Sequence, residues 1–391
     1  MSGIGAATLV HSVTLFGAGA DVAGRADGWA LFVDGRVRAV GAGPWAEAAA
    51  TVRPLTVVDG REVAGAGAVL SPGLVDIHVH GGGGHAFEEG VDAIAAAAAL
   101  HRRAGTTRII ASLVSAPVDA LLRQLDAVSQ AQAVAPGLLG AHLEGPFLSP
   151  EHRGAHDPSA LAAPASDALT ALLGTGSVRQ VTIAPELPGA IDAIRQITAA
   201  GAQVAIGHTH ADGDEAREAF DAGARLVTHA FNAMRPLHHR APGVVGAALA
   251  DPRVVLEAIP DGHHLHGDTV RLLFAAAPGR VALITDAMAA AGCEDGPYRL
   301  GSLDVEVRDG AARLQGSDTI AGSTLTLAEG VRRAHALGLP LRDVLTAATA
   351  VPARALGLAD VGSLTPGSVA DAVLWDSGLA VRSVWQDGER V

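Results

Sequence analysis

Eight short apolar runs, at residues 74–79, 108–111, 138–143, 181–184, 203–206, 226–228, 254–259 and 281–285, recur along the middle of the chain. Ala- and Leu-rich stretches at 91–104, 118–133, 190–200, 215–222 and 267–277 separate many of them. A run of this length with no polar alternation suits a strand buried on both faces, and helical segments between such strands make the sheet parallel. Eight repeats of the unit predict an α/β fold, a (β/α)8 TIM-like barrel. His78 and His80, Glu144, His208, His229 and Asp286 each stand at or just past the end of a run. That position is the C-terminal rim, where barrel enzymes keep their sites.

The two ends follow another pattern. Residues 28–40 alternate around Asp34-Gly35, 57–63 and 370–375 read as strands, and 381–391 read as a hairpin around Asp387-Gly388. We therefore expect residues 1–71 and 361–391 to pair into one small β-sandwich domain, with the barrel at 72–360. Inside the barrel segment, 298–315 reads as a hairpin insertion turning at Asp309-Gly310, and 324–337, 341–349 and 351–358 as closing helices.

Composition removes several classes of function. A net charge of −13 argues against nucleic acid or an anionic membrane as partner, since either needs a basic footprint. The Ala-rich stretch 93–100 is too short to span a bilayer, and the N-terminus has no basic-then-apolar signal, so a cytoplasmic protein is expected. Cys293 is the single cysteine, which excludes an internal disulfide framework and a cysteine zinc site. All 28 basic side chains are arginines, so no Schiff-base lysine, phosphate-loop lysine or carboxylated-lysine metal bridge is available. Gly81 to Gly84 accordingly form no NTPase phosphate loop.

Alternate residues of a strand share a face, so His78 and His80 emerge together at the end of the first run. Two imidazoles so placed can chelate an ion, yet among 17 histidines a His-x-His pair serves a metal or a structural contact equally well. His208 and His229 follow neighbouring strands and can converge on one ion, with Glu144 supplying a carboxylate from across the barrel. Hydrolysis at a metal needs such ligands, an open position for water, and a base, for which Asp286 is placed. If two ions bind, Glu144 has to bridge them, because no lysine is present.

The strings His142-Leu143-Glu144-Gly145-Pro146-Phe147, Gly207-His208-Thr209-His210, Thr228-His229-Ala230-Phe231-Asn232-Ala233-Met234, Asp261-Gly262-His263-His264 and Thr285-Asp286-Ala287-Met288 occur in that order. With residues 72–84 and the terminal motif at 362–371, they resemble the amidohydrolase superfamily and, within it, the N-acetylglucosamine-6-phosphate deacetylase family. The resemblance implies a divalent metal, zinc first, at Glu144, His208 and His229. It leaves open a second ion at His78 and His80, because some relatives replace one of these histidines and hold one ion.

The same resemblance implies hydrolysis of N-acetyl-D-glucosamine 6-phosphate to D-glucosamine 6-phosphate and acetate, in amino-sugar metabolism. Asp286 would take a proton from water and return it to the leaving amine, while His156 would donate to the acetyl carbonyl oxygen. Ala155, Asn232, Ala233, Ile320, Ala321 and Gly322 would contact the sugar. Arg240, His263 and His264 would meet the phosphate, with His264 arriving from a second subunit of a homodimer.

N-acetylgalactosamine-6-phosphate deacetylation differs by one hydroxyl that these motifs barely register. A deaminase or D-aminoacylase on the same scaffold is opposed by Arg240 and the His263-His264 pair. A non-catalytic scaffold is opposed by the full set of ligand types together with Asp286.

Overall fold

The structure, a computed structural model, describes residues 7–19 and 23–391. Eight strands form one sheet in which spatial order equals chain order: Leu74–Asp76, Thr106–Val114, Leu138–Glu144, Val178–Ile183, Gln203–Ile206, Leu226–Val227, Val255–Ala258 and Val281–Leu283. From the second strand to the eighth the pairing is parallel throughout. The seam closes just beyond the first and last strands. There Val79 bridges Ala287, the Asp286 N–H donates to the His78 carbonyl at 2.8 Å, and the His80 N–H donates to the Ala287 carbonyl at 2.7 Å. Closure is what fixes His78, His80 and Asp286 beside one another.

Several helices bury one stripe each. Val118–Ala131 turns Leu121, Leu125, Val128 and Ala131 inward, and Ala190–Ala199 turns in Ala190, Ala193, Ile194 and Ile197, the spacing of an amphipathic helix. Gly213–Ala222 starts on a capping box: the Asp212 side chain accepts from the Asp214 and Glu215 N–H groups, and the Glu215 side chain accepts from the Asp212 N–H. Of the described helices of eight residues or more, Ser166–Gly174 and Gly243–Ala250 escaped the sequence reading. The latter, GVVGAALA, has no polar face and so shows no helical period.

The segment expected as a hairpin is a three-stranded antiparallel sheet, Gly296–Leu300, Leu303–Arg308 and Ala311–Leu314. The turn at Asp309-Gly310 lies where expected; the reading missed the earlier one at Gly301-Ser302. Its buried side chains Leu300, Val305, Val307 and Ala312 pack with Val114, Ala155, Met288 and Ala321, which brings residues 318–322 to the rim.

Contacts divide the chain into two compact units, Met1–Val75 with His101–Arg108 and Leu327–Val391, and Asp76–Leu100 with Ile109–Thr326. Residues 327–360, expected in the barrel, fall with the terminal strands in this division, and residues 1–6 and 20–22 of the expected terminal domain lie outside the described residues. In the first unit, Ala7–Leu15 changes partners along its length. Ala7 to His11 pair with Gly28–Val33 and Leu55–Asp59, whereas Thr14 and Leu15 pair with Val69–Pro72. The register slips at Ser12, whose φ is 60°, and such a bulge lets one strand serve two sheets. Between them Val10, Val13, Phe32, Leu70, Leu374 and Trp385 form a core. The run at 57–63 ends as a strand at Asp59, whose carboxylate caps the helix Gly60–Ala64. Among the described residues, no helix is long and apolar enough to cross a membrane.

Candidate metal centre and active site

All the residues of this site lie in the second unit. Glu144 closes the third strand; His208, His229 and Asp286 come two or three residues past the fifth, sixth and eighth. These last three have φ values of 47°, 24° and 51°, a left-handed conformation that non-glycine residues adopt at a cost and that the surrounding fold has to impose. The Glu144 Oε1, His208 Nε2 and His229 Nε2 atoms converge: each nitrogen is 3.1 Å from the oxygen, and the nitrogens are 2.9 Å apart. A second group adjoins it. His78 Nε2 and His80 Nε2 are 3.2 Å apart and lie 3.5 and 3.3 Å from Asp286 Oδ1. Glu144 touches both groups, with Oε1 3.3 Å from His78 and Oε2 3.2 Å from His80.

Tautomers decide what these contacts mean. His208 Nδ1 lies 3.0 Å from the His152 carbonyl, an acceptor only, so its proton sits there and its Nε2 presents a lone pair to the Glu144 oxygen. His78 Nδ1 likewise faces the buried Glu257 carboxylate at 3.0 Å, which turns a second lone pair toward His80, Glu144 and Asp286. Lone pairs pointed at carboxylate oxygens in a buried site repel unless a cation stands between them. Tetrahedral ligands about 2.05 Å from one ion are about 3.3 Å apart, close to the separations found here. The donor set fits divalent metal.

The electrostatics agree. Burial lowers the His208 and His229 pKa values and keeps both rings neutral, as ligands must be. Burial opposes ionisation of Glu144, but positive charge at His78 and the His156 N–H hold its pKa well below the usual carboxylate range. Burial works against a charged His78 too, yet Glu144 and Asp286 raise its pKa well above the imidazole range, so positive charge is favoured at the point its Nε2 faces, carried either by a proton there or by an ion that its lone pair meets. The cluster demands positive charge.

His156 is set as a donor. The Ser115 N–H, which can only donate, reaches His156 Nδ1 at 3.2 Å, so the ring proton is on Nε2, 3.4 Å from Glu144 Oε2. His264 Nδ1 is held by Asp261 Oδ2 at 2.7 Å, and its Nε2 stands 3.7 Å from Asp286 Oδ2. Against burial, Asp261 raises its pKa, which favours the charged ring beside Asp286.

A cavity of about 570 Å³ opens on this cluster, lined by His80, Glu144, Ala155, His156, His208, His229, Asn232, Ala233, His264, Asp286, Ile320 and Gly322. Four expected residues do not line it: His78 lies behind the wall, Ala321 is buried in the core beside Met288 and Ala312, and His263 and Arg240 are exposed. His264 needs correction. It lies in its own chain's cavity, because Asp261 at the turn accepts from its backbone N–H and anchors its ring. No second subunit has to deliver it.

Among the side chains that the sequence reading missed, four stand out. Glu257 accepts from Gln180 Nε2 at 3.0 Å, besides contacting His78. His142, two residues before Glu144 on one strand face, stacks edge-on against His78 and bonds Ser112 and Thr182. Asp76, which burial pushes up to about 7, accepts from Thr285 Oγ1 at 2.6 Å. Arg153 stands on the cavity wall. A charged residue inside an apolar run was the available signal for Glu257.

Residues 69–391 match the amidohydrolase family. N-acetylgalactosamine-6-phosphate deacetylase of Escherichia coli O157:H7 is 39% identical over 82% of this chain and 87% of its own length, and N-acetylglucosamine-6-phosphate deacetylase of Vibrio furnissii is 36% identical over 82% of each. A mutant N-acetyl-D-glucosamine-6-phosphate deacetylase from Mycobacterium smegmatis, solved in complex with N-acetyl-D-glucosamine-6-phosphate, superposes with a TM-score of 0.89 at 42% identity, covering 99% of both chains. The chain belongs to the amidohydrolase family and, within it, to the N-acetylglucosamine-6-phosphate deacetylases.

Proposed function

We propose that the chain hydrolyses N-acetyl-D-glucosamine 6-phosphate to D-glucosamine 6-phosphate and acetate in amino-sugar metabolism. The observation that carries this reading is the Glu144 carboxylate shared by two converging ligand groups, with Asp286 and the His156 Nε2–H at the same cavity. Glu144, His208 and His229 would hold one divalent ion, zinc by its donor preference, and His78 and His80 a second. Such metal supplies Lewis acidity and lowers the pKa of water towards about 7.

Asp286 takes the proton of the attacking water as its oxygen bonds to the acetyl carbon. His156 donates to the carbonyl oxygen as charge collects there. Asp286 then passes its proton to the sugar nitrogen as the C–N bond breaks, so an amine leaves and acetate remains. His264 beside Asp286 favours its ionised form at the start. Asn232, Ala233, Ile320 and Gly322 frame the sugar. The Arg240 guanidinium, exposed on its own chain and without a carboxylate partner among the described residues, serves the phosphate from a second copy, which retains the homodimer on a different residue. A cytoplasmic setting accords with a phosphorylated substrate.

Acetate release from N-acetylglucosamine 6-phosphate, its galactosamine epimer and unphosphorylated N-acetylglucosamine tests the reading. The first should give the highest kcat/KM. Equal rates without phosphate would sink the phosphate pocket, and a faster epimer would select the galactosamine activity.

A further inference from the structure

A third set of ligand atoms lies at the mouth of the cavity, apart from the buried groups. His210 Nδ1 is 2.9 Å from Glu151 Oε2 and 3.1 Å from His152 Nε2. All three ligand atoms lie within 4.8 Å of one another. A ring nitrogen has either one hydrogen or one lone pair, so Nδ1 cannot serve both neighbours well by hydrogen bonding alone. Three donors around one point are what a transition-metal ion satisfies at once, with the imidazole and carboxylate chemistry that zinc and cobalt take.

The segments that present these side chains are fixed. The Glu186 carboxylate accepts from the His210 N–H at 2.6 Å and from Thr209 Oγ1 at 2.5 Å. His152 ends the short helical turn Pro150–His152, and its carbonyl is the acceptor that orients His208. Glu151 and His152 also line the cavity.

We propose that Glu151, His152 and His210 form a surface-accessible site for a divalent transition metal, weaker than the buried groups, that ties the loop of residues 149–156 to the segment after the fifth barrel strand. Exposure gives the weaker binding: the His210 and Glu151 side chains are 47% and 71% open to water, which competes for the ion.

The test is a titration of holoenzyme whose buried metal content has first been fixed by analysis. Zinc, and separately cobalt, are added against a chromophoric competitor. Wild type should take up one further equivalent. Both Glu151→Gln and His210→Ala should weaken that equivalent at least tenfold, since loss of an outer-shell partner alone costs about 10–100-fold, with buried metal content unchanged. His239→Ala, on another exposed loop, should bind as wild type does. The proposal is overturned if wild type takes no further equivalent, if both site variants titrate as wild type, or if His239→Ala removes the equivalent instead. Buried metal and deacetylation are measured separately, so failure of this site and failure of the proposed activity are distinguishable.

Discussion

Replacing Glu257 by glutamine tests whether the residue behind the wall sets the hold on the proposed second ion. The carboxylate contacts His78 Nδ1 at 3.0 Å, Gln180 Nε2 at 3.0 Å and the His229 N–H at 3.3 Å, and it is fully buried. Glu257→Gln preserves the shape and an acceptor oxygen for His78. The amide hydrogens it introduces can be met by Gln180, whose Oε1 has no partner among the described residues, once that amide turns over. What is lost is the charge behind the His78 hydrogen bond. Hydrogen bonds to charged groups are worth about 1.5–3 kcal/mol and neutral ones about 0.5–1.5, so the loss is about 1–1.5 kcal/mol. That is roughly tenfold in affinity for the ion that His78 ligates, at the lower end of outer-shell effects. Metal per chain, measured after dialysis against graded chelator, should show one ion leaving at about tenfold lower chelator activity. The ion at Glu144, His208 and His229 should be held nearly as before. Identical chelator curves for both proteins would refute the reasoning, since the carboxylate would then not influence His78 as a ligand.

Three other perturbations address the remaining parts. Asp286→Asn should keep metal at Glu144, His208 and His229 and lower kcat about 10²–10⁴-fold; unchanged turnover would remove Asp286 from proton transfer. Arg240→Ala should raise KM for the phosphorylated sugar with kcat little changed, and sedimentation should show a dimer. A fall in kcat at constant KM would contradict phosphate anchoring. Gly322 has φ of +69°, and a Cβ there would stand 2.9 Å from the Asp286 carbonyl oxygen. Gly322→Ala should therefore cost about 1–2 kcal/mol in denaturant unfolding and reduce turnover by moving Asp286, whereas wild-type behaviour in both assays would show that the loop gives way freely.

The convergence of the proposed ligands was legible because barrel geometry converts chain position into spatial position. A side chain just past a parallel strand has to emerge at the mouth, and so His208 and His229, after adjacent strands, meet without any knowledge of the loops. Which copy of the chain a residue serves is not coded in this way. His264 and Arg240 both sit in loops, and only the Asp261 anchor fixes the former in its own cavity, a contact set by a turn that the string Asp261-Gly262-His263-His264 does not specify. The support behind the ligands was half legible. A carboxylate inside an apolar run such as 254–259 is costly to bury alone, so Glu257 announces the need for a polar partner, but its partner His78 lies 179 residues away. The same reasoning applies to His142 and Gln180, each polar on a buried strand and each committed to a different neighbour. Buried polar residues in strand runs thus mark where an outer shell exists, and only closure of the barrel decides which ligand each of them orients.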